Sequence, residues 1–167
     1  MKFPRCIRLD GSDLRVFQRA AEPGEWAVPG GFAFADRDPS EFDNKERLAF
    51  KSGWLGTESL GRSTFAEVAE IDEAAFARVI DRLAGHFIET YGAPDLAAAL
   101  PAAREEADYA AGLCEHRLHS LLALERELGE EGIVERFRVV TPARATEHAK
   151  IWRIVPEEEG DGGVEPG

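Results

Sequence analysis

Residues 71–87, with the sequence IDEAAFARVIDRLAGHF, contain the clearest secondary-structure signal in the chain. Asp72 is a typical helix N-cap, because its carboxylate can accept a hydrogen bond from an unpaired amide of the first turn. The apolar residues that follow have the spacing of one helical face, and they are Phe76, Val79, Ile80, Leu83 and Phe87. Gly92 and Pro94 are typical of a helix end. The pattern predicts an amphipathic helix that begins at Asp72 and buries one face.

The segment after this helix predicts more helix, interrupted at a proline. A short helix is expected over residues 95–100, and Pro101 then begins a longer one, since proline is favoured in the first turn of a helix. The alanines after Pro101 are strong helix formers. The sequence leaves open where this second long helix ends.

Residues 118–128 fit two different structures. They are helix formers, but Leu122, Leu124 and Leu128 also alternate as they would in a strand. The glycines that follow could close a tight turn onto the β-branched run at residues 133–141. A β-hairpin is the favoured interpretation.

Short apolar runs separated by glycine, proline and polar residues predict strands on both sides of the helices. Gly11 in particular indicates a tight hairpin near the N-terminus. Before the helices the expected strands are residues 5–10, 13–18, 25–28, 32–34 and 47–55, with a polar loop at 36–46. After the helices they are residues 133–140 and 148–155.

This order of strands, helices and strands is typical of an α+β protein rather than of alternating βαβ units. We expect a mostly antiparallel sheet with two or three central helices packed on one face, in a single domain over residues 1–155. Residues 156–167 are an acidic tail rich in Gly and Glu, expected to be flexible because it has little apolar surface to bury. The other face of the sheet is left to solvent, a partner or a pocket.

The composition argues against several classes of protein. The chain has 167 residues, 44% of them hydrophobic, which suits one globular domain. The net charge of −12 disfavours a nucleic-acid partner and attachment to an anionic membrane surface. No apolar run is long enough to span a membrane, and the first residues lack the apolar stretch of a secretory signal, so a cytoplasmic location is expected.

Residues 56–63 (GTESLGRS) have most of the frame of a phosphate-binding P-loop. The lysine of that motif is replaced by Arg62, whose planar guanidinium does not fit the space of an ammonium group. Glu58 also places a negative charge where phosphate would bind. A glycine-rich turn between two strands is the favoured interpretation.

Four residues of the second long helix could ligate a divalent metal ion. Glu105, Asp108, Glu115 and His119 are spaced by 3, 7 and 4 residues, which places them on one stripe if the helix extends that far. Carboxylate and imidazole groups are common metal ligands. The alternative is that the acidic residues of this stripe, with Glu106, form a solvated face.

Other residues allow both a functional and a structural interpretation. Arg136 and Arg138 share one face of their strand and could clamp a carboxylate or phosphate, but pairing with Glu125 or Glu127 of the hairpin is favoured. The two cysteines, Cys6 and Cys114, are expected in the core, as are the three tryptophans, Trp26, Trp54 and Trp152.

Three stretches carry a resemblance to other proteins: GEWAVPGGFAF, FKSGWLGTESLGRSTF and EHRLHSLLALERELGEEGIVERFRVV. With these stretches the chain resembles a family of small uncharacterised bacterial proteins, over residues 3–155. The resemblance implies no activity for any residue.

Three hypotheses of function follow. The first is a non-catalytic binding or accessory protein that holds a partner protein or a small acidic ligand on the exposed sheet face or in a groove between the sheet and the helices. The second is a metal-binding protein or metal-dependent enzyme built on the carboxylate and histidine stripe, where the metal acts as a Lewis acid or activates water. The third is a homodimer that buries the open sheet face.

Overall fold

The computed structural model describes residues 1–142 and 152–156. The strands are β1 (Lys2–Ile7), β2 (Ala27–Val28), β3 (Trp54–Gly56), β4 (Arg62–Ser63), β5 (Phe65–Glu70), β6 (Leu121–Gly129), β7 (Gly132–Pro142) and β8 (Trp152–Pro156). The helices are α1 (Ser12–Val16), α2 (Asn44–Ser52), α3 (Glu73–Thr90) and α4 (Leu96–Gly112), with 3₁₀ turns at Gly31–Phe34 and Pro39–Glu41. The predicted α+β fold class is confirmed.

Two antiparallel sheets organise the chain. The larger has the strand order β1-β5-β6-β7-β8, and the smaller has the order β2-β3-β4. The hairpin interpretation of residues 118–128 is confirmed, since β6 pairs with β7 from Leu121↔Val140 to Gly129↔Gly132. β8 lies where the last strand was expected and pairs with β7. Residues 148–151 of that predicted strand and residues 157–167 of the predicted tail lie outside the described residues.

Helix α3 begins as predicted, because the Asp72 carboxylate accepts a hydrogen bond of 2.8 Å from the amide of Ala75. Its apolar stripe is buried and packs against α4. The buried stripe of α4 consists of alanines that are 0% exposed, namely Ala99, Ala103, Ala107 and Ala110. Such small side chains let the two helices approach closely.

The predicted break at Pro101 is wrong, because α4 runs through this residue as one helix. Proline removes one intrahelical hydrogen bond, but Pro101 lies on the exposed side, where water can bind the carbonyl that loses its donor. The alanine-rich flanks favour helix on both sides of it.

The predicted N-terminal hairpin is also wrong. Gly11 has a φ of −86° and makes no left-handed turn, and the expected strand at residues 13–18 contains helix α1 instead. β1 pairs with β5, where Arg5 and Glu67 are cross-strand partners joined by an ion pair of 2.6 Å. The predicted hairpin joins two neighbouring segments, whereas β1 pairs with β5, a strand about 60 residues away along the chain.

The expected strands at residues 32–34 and 47–55 are corrected to a 3₁₀ turn and to α2 followed by β3. Helix α2 begins within the predicted loop at 36–46. Asp43 and Glu46 form a capping box there: each carboxylate accepts a hydrogen bond from the other's backbone amide, at 2.8 and 3.0 Å. Leu48 is 40% exposed, so its alternation with Phe50 did not indicate a strand face.

Three apolar clusters form the core. The largest joins α3 and α4 to β1 through Phe3. The second contains Trp54, Cys6 and Cys114, which confirms the prediction that both cysteines are buried in the core. The third consists of the rings of Phe34, Phe42 and Phe50. None of the helices in the described part of the chain combines the length and apolar character needed to cross a membrane.

Candidate functional site

The P-loop-like segment at residues 56–63 is a turn between β3 and β4, as favoured from the sequence. The buried carboxylate of Glu25 occupies its interior and accepts hydrogen bonds from the amides of Glu58 and Ser59 at 2.8 and 2.9 Å. A Cβ atom on Gly56 would lie 2.4 Å from the Glu25 carboxyl carbon, so glycine is needed for this close approach. In a P-loop, backbone amides of this kind bind phosphate, but here they bind the carboxylate of Glu25.

The four predicted metal ligands do not share a helix stripe. Glu105 and Asp108 lie on α4, where both are exposed, but the helix ends at Gly112. Glu115 and His119 lie in the connection to β6. The prediction of one stripe is wrong because the residues after Gly112 form turns rather than a continued helix.

His119 instead contacts β5. Its backbone has a φ of +72°, its amide donates to the carbonyl of Val68 at 2.8 Å, and its Nδ1 lies 3.4 Å from Oε1 of Glu67. Within residues 1–142 and 152–156, no three His, Cys, Asp or Glu side chains are grouped so that they could hold a metal ion.

Arg136 and Arg138 form the cross-strand pairs favoured from the sequence. Arg136 binds Glu127 at 2.8 Å, and Arg138 binds Glu125 at 3.1 Å. All four side chains are substantially exposed. These two arginines are therefore engaged on the outer face of the hairpin.

The opposite face of the same hairpin carries Arg126, which is 2% exposed. Its Nε donates to Oε2 of Glu135 at 2.7 Å. The other four N–H groups of the guanidinium donate to the carbonyl oxygens of Pro29, Ala49, Phe50 and Gly53. Arg126 thus joins the β6–β7 hairpin to helix α2, to Gly53 directly after that helix, and to Pro29, which precedes the first 3₁₀ turn.

A second buried arginine, Arg62, lies beside it. Arg62 donates to the carbonyl oxygens of Gly53 at 3.0 Å and Gly30 at 3.2 Å. Both guanidinium groups lie over the ring of Phe34, at 4.9 Å for Arg62 and 5.5 Å for Arg126. Burial, followed by the positive charge of Arg126, lowers the pKa of Arg62.

An open cavity of about 360 Å³ lies next to this buried pair. It is bounded by the first 3₁₀ turn with the residue after it, by α4 and by β7. The lining residues are Gly31, Phe32, Ala35, Glu106, Tyr109, Ile133 and Glu135. Residues more than 100 positions apart in sequence therefore meet at one concave surface.

The polar side chains of the cavity are held by defined hydrogen bonds. The Tyr109 hydroxyl donates to Oε1 of Glu135 at 3.0 Å, and Glu106 accepts from the amide of Gly30 at 3.3 Å. Burial, and then the negative charge of Glu135, raises the pKa of Tyr109, so its phenol remains a donor at neutral pH. Burial is also the largest cause that raises the pKa of Glu106, with a smaller contribution from Glu135.

No pattern in the sequence predicts this cavity. The charge pattern of α4 is compatible with a solvated face that includes Glu106, but Glu106 is partly buried while Glu105 is exposed. One signal was present: strand alternation places Arg126 on the same face as Leu122 and Leu124, where a charged residue is unexpected. Its partner Glu135 then follows from the hairpin register.

The fold and the site define an α+β protein with an open, polar cavity between a helix and a β-hairpin. A family model described as Family of unknown function (DUF6505) matches residues 1–153, and the chain belongs to this family. The expected membership of an uncharacterised family is thereby confirmed. No curated protein and no solved structure matches the chain.

Proposed function

We propose that this protein is a non-catalytic binding protein of the bacterial cytoplasm and that a small molecule binds in the cavity between α4, β7 and the first 3₁₀ turn. The observation that carries the proposal is the convergence of Glu106, Tyr109 and Glu135 on one cavity with an aromatic wall. A concave surface on which a few fixed polar groups converge beside an aromatic side chain is suited to small-molecule recognition.

The dimensions and rigidity of the cavity support a binding role. Its volume of about 360 Å³ lies at the lower end of the range for ligand sites. Glu135 is fixed from two sides, by Arg126 and by Tyr109, so its carboxylate requires little reordering when a ligand arrives. A cytoplasmic setting suits the two core cysteines, because a reducing compartment keeps thiols from forming disulfides.

The test is a fragment screen of the full chain by protein-observed NMR. Fragments of varied charge are added to ¹⁵N-labelled protein, and binders are expected to shift the amide signals of Gly31, Glu106 and Glu135. Ala35→Phe fills the cavity from a residue with ordinary helical backbone angles and should abolish these shifts.

Ala77→Phe is the matched control, since Ala77 is exposed on α3 and does not line the cavity. It should leave the fragment shifts unchanged. The proposal fails if no fragment shifts the cavity amides, or if Ala35→Phe binds the fragments as well as the unmodified chain does.

A further inference from the structure

We infer that the ligand of this cavity is a small organic cation of the alkylammonium type, bound between the carboxylates of Glu106 and Glu135. This inference rests on the proposed function, because it names the class of ligand for the same site. It is carried by the chemistry of the lining atoms, the engagement of the nearby arginines and the aromatic walls.

The side chains that line the cavity present acceptors. Glu106 and Glu135 contribute carboxylates, and the Tyr109 oxygen can accept a hydrogen bond while its proton is directed to Glu135. Among the described residues that line the cavity, none is a lysine or an arginine. An ammonium group has three donors and no acceptor, so it matches this set, whereas an anion finds no cationic side chain at the surface of the cavity.

The buried arginines do not supply the missing donors. All five N–H groups of Arg126 are bonded, one to Glu135 and four to backbone carbonyl oxygens. Arg62 also directs its terminal nitrogens to backbone carbonyl oxygens. Both guanidinium groups serve the internal packing of the protein, and an anionic ligand would have to break those bonds to reach them.

A cation also resolves an electrostatic conflict at the cavity. Glu106 and Glu135 repel each other, and this repulsion acts more strongly on Glu106 than the attraction of either nearby guanidinium, Arg126 or Arg62. Of the two carboxylates, Glu135 forms an ion pair, with Arg126, whereas Glu106 forms none with the residues that the structure describes. From residues 1–142 and 152–156, the Glu106 carboxylate accepts one hydrogen bond, from the amide of Gly30. A positive group beside Glu106 would satisfy its remaining lone pairs with charge-assisted hydrogen bonds, which are about twice as strong as neutral ones.

The rest of the lining fits the hydrocarbon part of such a ligand. The rings of Phe32 and Tyr109, with the side chain of Ile133, provide apolar walls. Aromatic faces attract organic cations through the ring quadrupole. The volume of about 360 Å³ suits a compact molecule rather than a peptide or a nucleotide.

The experiment compares three probes of four carbon atoms that differ in charge: n-butylammonium chloride, sodium butyrate and 1-butanol. Each is titrated into ¹⁵N-labelled full-length protein at constant ionic strength, and the cavity amide shifts are fitted to a dissociation constant. We expect butylammonium to bind at least about tenfold more tightly than butyrate or butanol, as a charge-assisted hydrogen bond predicts.

Two variants locate the bound charge. Glu106→Gln keeps the shape of the side chain and its acceptor for Gly30, and it should weaken butylammonium binding about tenfold or more. Glu105→Gln removes the same charge from the exposed neighbour and should leave the affinity unchanged. Tyr109→Phe removes one acceptor but also frees Oε1 of Glu135 for the ammonium group, so it should change the affinity by less than about threefold. If Glu106→Gln disturbs the fold, the comparison of butylammonium with 1-butanol on the unmodified chain still tests the effect of the charge.

The outcomes separate the inference from the proposed function. Butyrate or butanol binding at the cavity as tightly as butylammonium would overturn the inference and leave the proposed function intact. If Glu105→Gln and Glu106→Gln weaken butylammonium binding equally, the cation is attracted by the net negative charge of the protein. That result would also overturn the inference. If neither these probes nor the fragment set shifts the cavity amides, both proposals fail.

Discussion

Arg126 of β6 and Glu135 of β7 are direct cross-strand partners whose side chains form an ion pair of 2.7 Å inside the protein. On the other face of the same hairpin, Arg136 and Glu127 form a pair of 2.8 Å in contact with solvent. The two pairs have the same chemistry and almost the same length. Their environments differ, and this difference predicts different contributions to stability.

Replacing Arg126 with alanine should lower the free energy of unfolding by about 3–5 kcal/mol, because it leaves a largely buried carboxylate without its partner. It also removes the donor to four backbone carbonyl oxygens. Arg136→Ala removes an exposed pair, which is typically worth about 1 kcal/mol or less. Urea unfolding followed by circular dichroism measures both changes.

Arg126→Lys tests whether charge alone is sufficient. An ammonium group has three donors rather than five and cannot reproduce the planar fork, so this variant should recover only a small part of the lost stability. Equal destabilisation by Arg126→Ala and Arg136→Ala would contradict the structural role assigned to Arg126.

The Glu25 carboxylate provides a second prediction. It accepts hydrogen bonds from the amides of Glu22, Glu58 and Ser59 and from the Ser59 hydroxyl, at 2.6–2.9 Å. Glu25→Ala should therefore destabilise the protein by about 2–3 kcal/mol, since charged acceptors contribute more than neutral ones and several donors lose their partner together. Amide hydrogen exchange at Glu58 and Ser59 should accelerate, which locates the effect in the turn after β3.

Glu22→Ala is the control for this variant, because Glu22 lies three residues before Glu25, carries the same charge and is exposed. It should leave stability and amide exchange almost unchanged. If the amides of Glu58 and Ser59 exchange at the same rate in both variants, Glu25 does not hold the turn.

The elements that could be predicted from the sequence are those specified by local signals. α3 has an N-cap and a full apolar stripe, and the β6–β7 hairpin has alternation with glycines at the turn, so both were found. Helix α2 is not predicted, although Asp43 and Glu46 form a capping box, because the alternation of Leu48 and Phe50 also fits a strand. A capping box is therefore a stronger indication of a helix than two alternating apolar residues are of a strand.

The cavity could not be predicted because its residues meet only through tertiary packing. Glu106 and Glu135 belong to separate elements, and residues 32–34, which the sequence pattern predicts as a strand, lie in the 3₁₀ turn at Gly31–Phe34. The Arg126–Glu135 pair could have been found once the hairpin was assumed, since its register places the two residues opposite each other. The predicted stripe of metal ligands is wrong because it requires α4 to continue beyond Gly112, where the helix ends.

The alanine stripe of α4 predicts sensitivity to larger side chains. Ala103 is 0% exposed within the largest apolar cluster, so Ala103→Leu should destabilise the protein by about 1–3 kcal/mol through overpacking. Ala102→Leu places the same side chain at the adjacent exposed position, where the helix propensities of alanine and leucine are similar. Thermal unfolding should show a lower Tm for Ala103→Leu, and a Tm at least as high as that of the unmodified chain would contradict close packing of α4 in this cluster.

The partly buried carboxyl group of Glu106 predicts a pH dependence of stability. Burial raises its pKa above the usual value of 4.5 in the folded protein, and Glu135 of β7 raises it further. The Gly30 amide and the guanidinium groups of Arg126 on β6 and Arg62 on β4 act in the opposite direction without cancelling the rise. The folded state therefore binds this proton more tightly than the unfolded state, and stability falls as the pH increases from about 4.5 through the raised pKa.

Glu106→Gln isolates this effect, because glutamine stays neutral at every pH. The free energy of unfolding of the variant minus that of the unmodified chain should increase as the pH rises above about 4.5 and then level off once Glu106 is ionised. Urea unfolding at a series of pH values measures the difference, with Glu105→Gln as the exposed control, for which the same difference should stay flat. A difference for Glu106→Gln that decreases with rising pH would mean that the ionised carboxylate is the stabilised form, contrary to its position beside Glu135.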